Sequence, residues 1–221
     1  MMGKDGLTPA VEDFLKGVLE LERLEGRATT GSLAARLGVS APTVTETAKR
    51  LVGQGLVTRT PYRGLGLTDE GRRAALEVLR HHRLLERYLV DTLGMPLDHV
   101  HREAELLEHV LSERLEQRID EALGFPTHDP HGDPIPDRDL RLADRPGRVL
   151  ASLAPGERAT VARIPDGDEA VLGYLADLGL VPGATVEVVV QAPFDGPVTL
   201  RVGAAEHALG RELARTIAVT P

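Results

Sequence analysis

The chain contains no cysteine. That absence excludes disulfides, thiolate zinc sites and cysteine nucleophiles together. Any bound metal would meet only oxygen and imidazole. Tryptophan is also absent, and aromatics make up 3% of residues. Cores must therefore be built from Leu, Val and Ala. No apolar run approaches the roughly 18 residues needed to span a bilayer. The first residues, MMGKDGLTPAVEDF, lack the apolar core of a signal peptide. A soluble cytoplasmic protein with no membrane partner is expected. The chain also lacks Glu-x-x-His, His-Glu-x-x-His, a nucleophile elbow and a phosphate-binding glycine loop. These gaps argue against an enzyme, a metalloenzyme included, and against a small organic substrate. Lysine occurs only at positions 4, 16 and 49, so nearly all the basic charge is arginine.

What is present is unevenly distributed. The net charge is −8, yet Arg27 to Arg73 holds eight basic residues against three acidic ones. That window carries +5 and the remainder −13. A local basic face is what phosphate contact requires, whatever the total. A length of 221 residues allows two or three small domains.

The periodicity divides the chain. Residues 10–26 read as an amphipathic helix with Val11, Phe14, Leu15, Val18, Leu21 and Leu24 on one face, stopped by Gly26. Thr29 or Thr30 caps a short helix, SLAARLG. Gly38 and Val39 form a turn. Ser40 caps the next helix, with Pro42 in its first turn, where a missing N–H costs nothing. Two short β-type runs around Pro61 and Gly64 read as a hairpin. Thr68 then caps a long helix through HHRLLERYLVDTLG, and a second long helix is expected from about Pro96 to Leu123. Residues 124–147 are rich in Pro, Asp and Gly and read as a linker or irregular wrap. Beyond them, short β-branched strands around one helical piece suggest a small barrel.

Helix, glycine turn, helix, hairpin is the order of a winged helix-turn-helix. Its second helix enters the major groove N-terminus first. The residues placed there are Ser40, Pro42, Thr43, Thr45 and Glu46. Lys49 and Arg50 reach phosphates, and Arg59, Tyr62 and Arg63 lie in or beside the wing. Glu46 either accepts from cytosine N4 or is a solvated side chain.

A second pattern carries metal chemistry. It reads His82-x3-Glu86, then His101-x3-Glu105-x2-Glu108-His109. Residues three or four apart share a helix face, so two packed helices would bring these groups around one or two divalent cations. A single His-x3-Glu is more often a surface pair; the repeated pattern is what singles this one out. His81 and His99 read as surface residues, and His128 and His131 as loop residues. Apolar positions Val100, Leu107, Val110 and Leu111 on the 96–123 helix suggest a homodimer, with ordinary core as the alternative.

In this order the motifs LELERLEG, GVSAPTVTETAKRLVGQGLV, YRGLGLTDEGRR, HHRLLERYLVDTLG, VHREAELLEHVLSERLEQRI and PHGDPIP resemble the DtxR/MntR family of metal-dependent transcriptional regulators, over nearly the whole chain. The resemblance implies an α+β protein in three parts. These are a winged helix-turn-helix over 1–75, a helical metal-binding and dimerisation domain with a Pro-rich linker over 76–145, and an SH3-like, FeoA-like small β-barrel over 146–221. It implies a regulatory metal site on Asp13, Glu105, Glu108 and His109, joined by His82 in manganese-type members. It also implies an ancillary site on His82, Glu86 and His101, completed from the last domain, where the nearest oxygen donors are Asp168 and Glu169. Val171 stands at a Gln ligand position and cannot coordinate. Lys16 stands where short members carry a second acidic ligand, which points to two separated sites rather than a tight pair. Hard carboxylates at positions 13 and 105, where iron-type members place sulfur, favour Mn²⁺ as activator, with Fe²⁺ also able to act. The implied function is a manganese-dependent repressor binding double-stranded operator DNA as a homodimer. An iron-dependent repressor is the alternative.

Overall fold

The computed structural model describes residues 6–60, 64–144 and 147–221. The chain forms two compact units. The first takes residues up to His82, with Glu108–Leu111 and Pro136–Leu142; the second takes Arg83–Leu107, Ser112–Ile135 and Ala143–Pro221.

In the first unit, α1 spans Pro9–Glu25 and ends at Gly26, whose φ of 73° is left-handed. Its apolar stripe buries Val11, Phe14, Leu15, Val18, Leu19 and Leu21. Helix α2, Thr30–Leu37, starts at Thr29, which forms a reciprocal capping box with Ser32. Helix α3, Ala41–Gly53, starts at Ser40 and turns Val44, Ala48 and Leu51 inward. Strand β1, Val57–Thr60, pairs antiparallel with β2, Gly64–Leu67. The Leu65 N–H donates to the Ala28 carbonyl at 2.8 Å, tying this hairpin to the α1–α2 connection. Gly64 has φ 91°, and a Cβ there would run into that same carbonyl, so only glycine fits. These parts make a winged helix-turn-helix around one leucine-rich core.

Helix α4 spans Asp69–Leu93. Thr68 caps it by accepting from the Gly71 N–H at 3.0 Å, and Asp69 and Glu70 suit the N-terminal dipole. It contributes to both units, dividing after His82.

The single helix expected over 96–123 is two helices. Helix α5 is Val100–Leu107 and α6 is Glu113–Ala122. Ser112 captures the chain between them, accepting from the Leu115 N–H as the cap of α6. Glu108–Val110 thus form a turn instead of continuing the helix. Val100 and Leu111, read as dimer contacts, are buried, while Leu107 and Val110 are exposed.

The rest of the second unit is a five-stranded antiparallel sheet in the order β6-β5-β4-β3-β7. Its strands are β3 Arg158–Arg163, β4 Thr185–Gln191, β5 Val198–Val202, β6 Ala205–Leu209 and β7 Ala218–Thr220. Helix α7, Glu169–Asp177, links β3 to β4, and a short α8, Arg211–Thr216, precedes β7. Val161, Ile164, Leu172, Leu175, Val186, Val188, Val198 and Leu200 fill the core. The Pro-rich stretch is a buried strap. The His131 carbonyl accepts from the Ile164 N–H at 3.0 Å. Arg83 donates to the Pro134 carbonyl, and Arg163 pairs with Asp133 at 2.7 Å. Gly132, at φ 92°, lies so close to the Ala162 carbonyl that a Cβ would collide with it. No helix among the described residues is long and apolar enough to cross a membrane.

Candidate functional site

Helix α1 carries Glu12, Asp13 and Lys16. Glu12 and Lys16, one turn apart, both lie buried although charged. They face the turn after α5. The His109 ring bridges to α1: its Nδ1 is 2.6 Å from Glu12 Oε2, and its Nε2 is 3.1 Å from Asp13 Oδ1 and 3.4 Å from Glu108 Oε1. Asp13, Glu108 and His109 each offer a ligand atom within 4.8 Å of the others. Glu108 is fully buried; its Oε1 accepts from Lys16 Nζ at 2.6 Å, and its Oε2 lies 2.6 Å from His82 Nδ1. His81, read as a surface residue, is wholly buried, with Nδ1 3.2 Å from the Glu108 carbonyl.

The ring geometry fits a metal. When Nδ1–H donates to Glu12, the Nε2 lone pair points between Asp13 and Glu108. That is the carboxylate–histidine–metal arrangement, in which the outer carboxylate fixes tautomer and orientation. In the metal-free protein a proton takes that place. Hydrogen bonds to Asp13 and then Glu12 outweigh burial and push His109 up to about 9.

Glu105, expected in this set, stays on α5 with its Oε1 3.8 Å from His101 Nε2.

A second cluster lies in the second unit. His101 Nδ1 is 3.1 Å from Glu86 Oε1 and 3.2 Å from Asp166 Oδ1. His131 Nδ1 is 3.7 Å from Glu86 Oε2 and 3.8 Å from Asp166 Oδ1, and finds no hydrogen-bond partner among the described residues. Glu86, Asp129 and His131 also bring ligand atoms within 4.8 Å of one another. Burial pulls His101 down, but Asp166 and Glu86 together raise it to about 11. Burial opposes the charge on His131 too, and Glu86 and Asp166 lift it to about 9. Burial, then the Glu86 charge, pushes Asp129 up to about 7. A polar ring atom buried between carboxylates without a hydrogen bond fits a cation.

Asp168 and Glu169 play a different part from the one expected. Asp168 caps α7, its Oδ1 accepting from the Ala170 and Val171 N–H groups, and Glu169 is in the first turn of that helix. Asp166 is the carboxylate that faces His101. Glu12, Asp129, His131 and Asp166 were missed. Glu12 had a signal, since it shares the apolar stripe of Leu15 and Leu19. The other three sit outside any helix, where periodicity says nothing.

On the opposite chemistry, α3 exposes Pro42, Thr43, Thr45, Glu46, Lys49 and Arg50, and β1 exposes Arg59. Ser40 is exposed but engaged, accepting from the Thr43 N–H and lying 2.8 Å from Thr43 Oγ1. Thr45 donates back to the Ala41 carbonyl at 3.0 Å. Tyr62 and Arg63 lie outside the described residues.

Comparison with known proteins gives a consistent picture. Residues 6–65 match the family described as the iron dependent repressor N-terminal DNA binding domain. Residues 68–137 match the iron dependent repressor metal binding and dimerisation domain, and 148–221 match the FeoA domain. The iron-dependent repressor IdeR of Mycobacterium tuberculosis (strain ATCC 25618 / H37Rv) is 36% identical over 226 residues, covering 96% of this chain and 97% of its own. The diphtheria toxin repressor of Corynebacterium diphtheriae is 33% identical over 223 residues, with the same coverage of 96% and 97%. A solved structure described as a manganese-dependent transcriptional repressor complex with manganese superposes with a TM-score of 0.85 at 41% identity, covering 95% of this chain and 99% of that one.

Proposed function

This chain belongs to the DtxR/MntR family of metal-dependent transcriptional repressors, and from that premise we propose that it represses metal-homeostasis genes in response to Mn²⁺. It is a DNA-binding repressor and not an enzyme. The observation that carries the manganese reading is the donor set Asp13, Glu108 and His109, all oxygen and imidazole within reach of one ion. Hard donors without sulfur suit Mn²⁺. A second reading, an Fe²⁺-dependent repressor, is favoured by the iron-dependent mycobacterial relative.

In this proposal the ion binds Asp13, Glu108 and His109, with Glu12 holding the ring. Held there, a divalent cation would tie α1 to the turn joining α5 and α6 by neutralising the carboxylates of both. His82 shares Glu108 from the other side. Glu86, His101, His131 and Asp166, with Asp129, hold a second ion. Leu106 and Leu107 of α5 and Leu115 of α6 are exposed, and we assign them to a second copy of this chain. The two-fold dimer then presents two α3 helices to operator half-sites about 34 Å apart or a multiple of that. Ser40, Pro42, Thr43, Thr45, Glu46, Lys49, Arg50, Arg59, Tyr62 and Arg63 form the DNA face. The protein works in the cytoplasm, with residues 1–75 reading DNA, 76–145 sensing metal and pairing protomers, and 146–221 completing the second ion's surroundings.

The test is fluorescence-anisotropy binding to promoter fragments, titrated with Mn²⁺, anaerobic Fe²⁺, Zn²⁺ or chelator. Binding at lower Mn²⁺ than Fe²⁺, lost on chelation, supports the manganese reading. The reverse order supports the iron reading, and binding indifferent to metal overturns both. A monomer by sedimentation, with metal and operator absent or present, overturns the dimer.

Two further results are expected. Glu12→Gln should weaken Mn²⁺ binding on the order of 10- to 100-fold, because the ring loses its charged orienting partner; unchanged affinity in calorimetry would show that His109 needs no such support. Proton and metal also compete for His109 Nε2. Mn²⁺ affinity at this centre should therefore rise about tenfold per pH unit from 6.5 towards 9, one proton leaving per ion. The same shift has the opposite sign for the metal-free fold. A raised histidine pKa stabilises it fully below the ordinary 6.5, and that contribution fades as pH passes through about 9. A Kd flat across this range would remove His109 from the ligand set.

A further inference from the structure

We propose that Glu46 selects a cytosine in each operator half-site, through the amino group on C4 of that base. The proposal rests on the DNA-reading assignment of α3 and deepens it from an interface to a base preference.

Helix α3 has two faces. Val44, Ala48 and Leu51 turn into the leucine core. Pro42, Thr45, Glu46 and Lys49 are exposed, at the spacing that lines side chains along one side of a helix. Glu46 is the only acidic residue of this helix, and it stands beside Lys49 and Arg50 on a surface meant for phosphate. Two observations separate it from an ordinary solvated charge. It stays out of ion pairs. Lys49 and Arg50 follow it by three and four residues, where a preceding acid is well placed to pair, yet no hydrogen bond or salt bridge engages Glu46 among the described residues. Acids on the neighbouring α1 behave differently: Glu20 pairs with Arg36 and Glu22 with Arg72. The hydroxyls around it are also spent. Thr45 donates to the Ala41 carbonyl, and Ser40 and Thr43 bond each other at 2.8 Å. Pro42 has no N–H to offer. The exposed head of α3 therefore presents apolar surface and a carboxylate that is free and can only accept.

An acceptor decides which base fits. In the major groove the O4 of thymine and the O6 and N7 of guanine are acceptors themselves and repel a carboxylate. Adenine sets its N6 amino group beside the N7 acceptor. Cytosine offers its N4 amino group with no acceptor on its own edge. Glutamine at position 46 would choose otherwise, since its amide matches adenine N6 and N7 together. Lys49 and Arg50 meet the flanking phosphates and offset the repulsion that Glu46 brings.

The test selects bound duplexes from a randomised pool with the full-length chain at saturating Mn²⁺, for wild type, Glu46→Ala and Glu46→Gln. The selected site and its single-base-pair variants are then measured by fluorescence anisotropy. In wild type one position of each half-site should be held as cytosine, and replacing it should weaken binding on the order of tenfold. Glu46→Ala should accept any base there and keep the rest of the sequence preference, and Glu46→Gln should move that position to adenine. A merely solvated Glu46 gives another result: Glu46→Ala binds every duplex more tightly by the same factor, with the preferred sequence unchanged. That overturns the proposal, as does a wild-type site holding no cytosine that responds to substitution of Glu46. Wild type that selects no duplex with Mn²⁺ overturns the DNA-reading assignment itself.

Discussion

Asp13→Ala should lose metal-activated operator binding while remaining folded. Asp13 is the one member of the α1 centre that reaches His109 from a partly exposed position on the helix, with its carboxylate 36% exposed and 3.1 Å from Nε2. Removing it leaves the core residues Phe14, Leu15 and Val18 untouched, so the thermal midpoint without metal should move little. What disappears is the ion's attachment to α1 through Asp13; the Lys16–Glu108 and Glu12–His109 pairs remain. Metal and DNA favour the same state by a shared coupling free energy, so losing it is expected to weaken operator binding on the order of 100-fold at fixed Mn²⁺. Anisotropy titration at saturating Mn²⁺ reads this directly. Operator affinity equal to wild type, in a variant with intact circular dichroism, would sink the clamp mechanism.

Glu108→Gln should have a different outcome, a large loss of stability even without metal. Glu108 is buried and pairs with a buried lysine. Taking the charge from one partner strands the other. Breaking a buried ion pair in this way costs about 3–5 kcal/mol, several times what an exposed pair such as Arg118–Glu121 contributes. Urea unfolding of the metal-free protein would show it as a lower midpoint with an unchanged slope. A midpoint within experimental error of wild type would mean that Lys16 finds water instead. The two substitutions separate the roles of neighbouring carboxylates: Asp13 acts through the ion, whereas Glu108 acts with and without it.

The reader half of the chain was legible because local signals agreed there. The stripe of α1, the Thr29 and Ser40 caps and the wing glycine all point to one structure, and the match of residues 6–65 to a DNA-binding domain family agrees. The middle was less legible for a definite reason. Leu107, Leu111 and Leu115 continue a four-residue spacing across Ser112, so the pattern shows no interruption where the backbone breaks. That break is what places Glu108 and His109 in a turn instead of on the helix. Asp13 came from family resemblance, since one aspartate on a helix says nothing alone. Glu12 and Lys16 could have been noticed as charges on an apolar face. His131 and Asp166 meet only after the strap and the sheet have folded, and no spacing along the chain announces that.

The strap has a consequence for how such a chain could be shortened. It is held to β3 by the Arg163–Asp133 pair, to Ile164 just after that strand by the His131 carbonyl, and to α4 through Arg83. A shorter descendant could not simply drop the sheet. It would take Arg163 from Asp133, leaving that carboxylate with Arg83 at 3.7 Å, and uncover the His131 carbonyl that the Ile164 N–H now satisfies. Loss of residues 148–221 would have to be accompanied by loss or redesign of 129–135. The tail of this protein is therefore less an accessory than the second half of a seam, inherited or discarded together with the loop it closes.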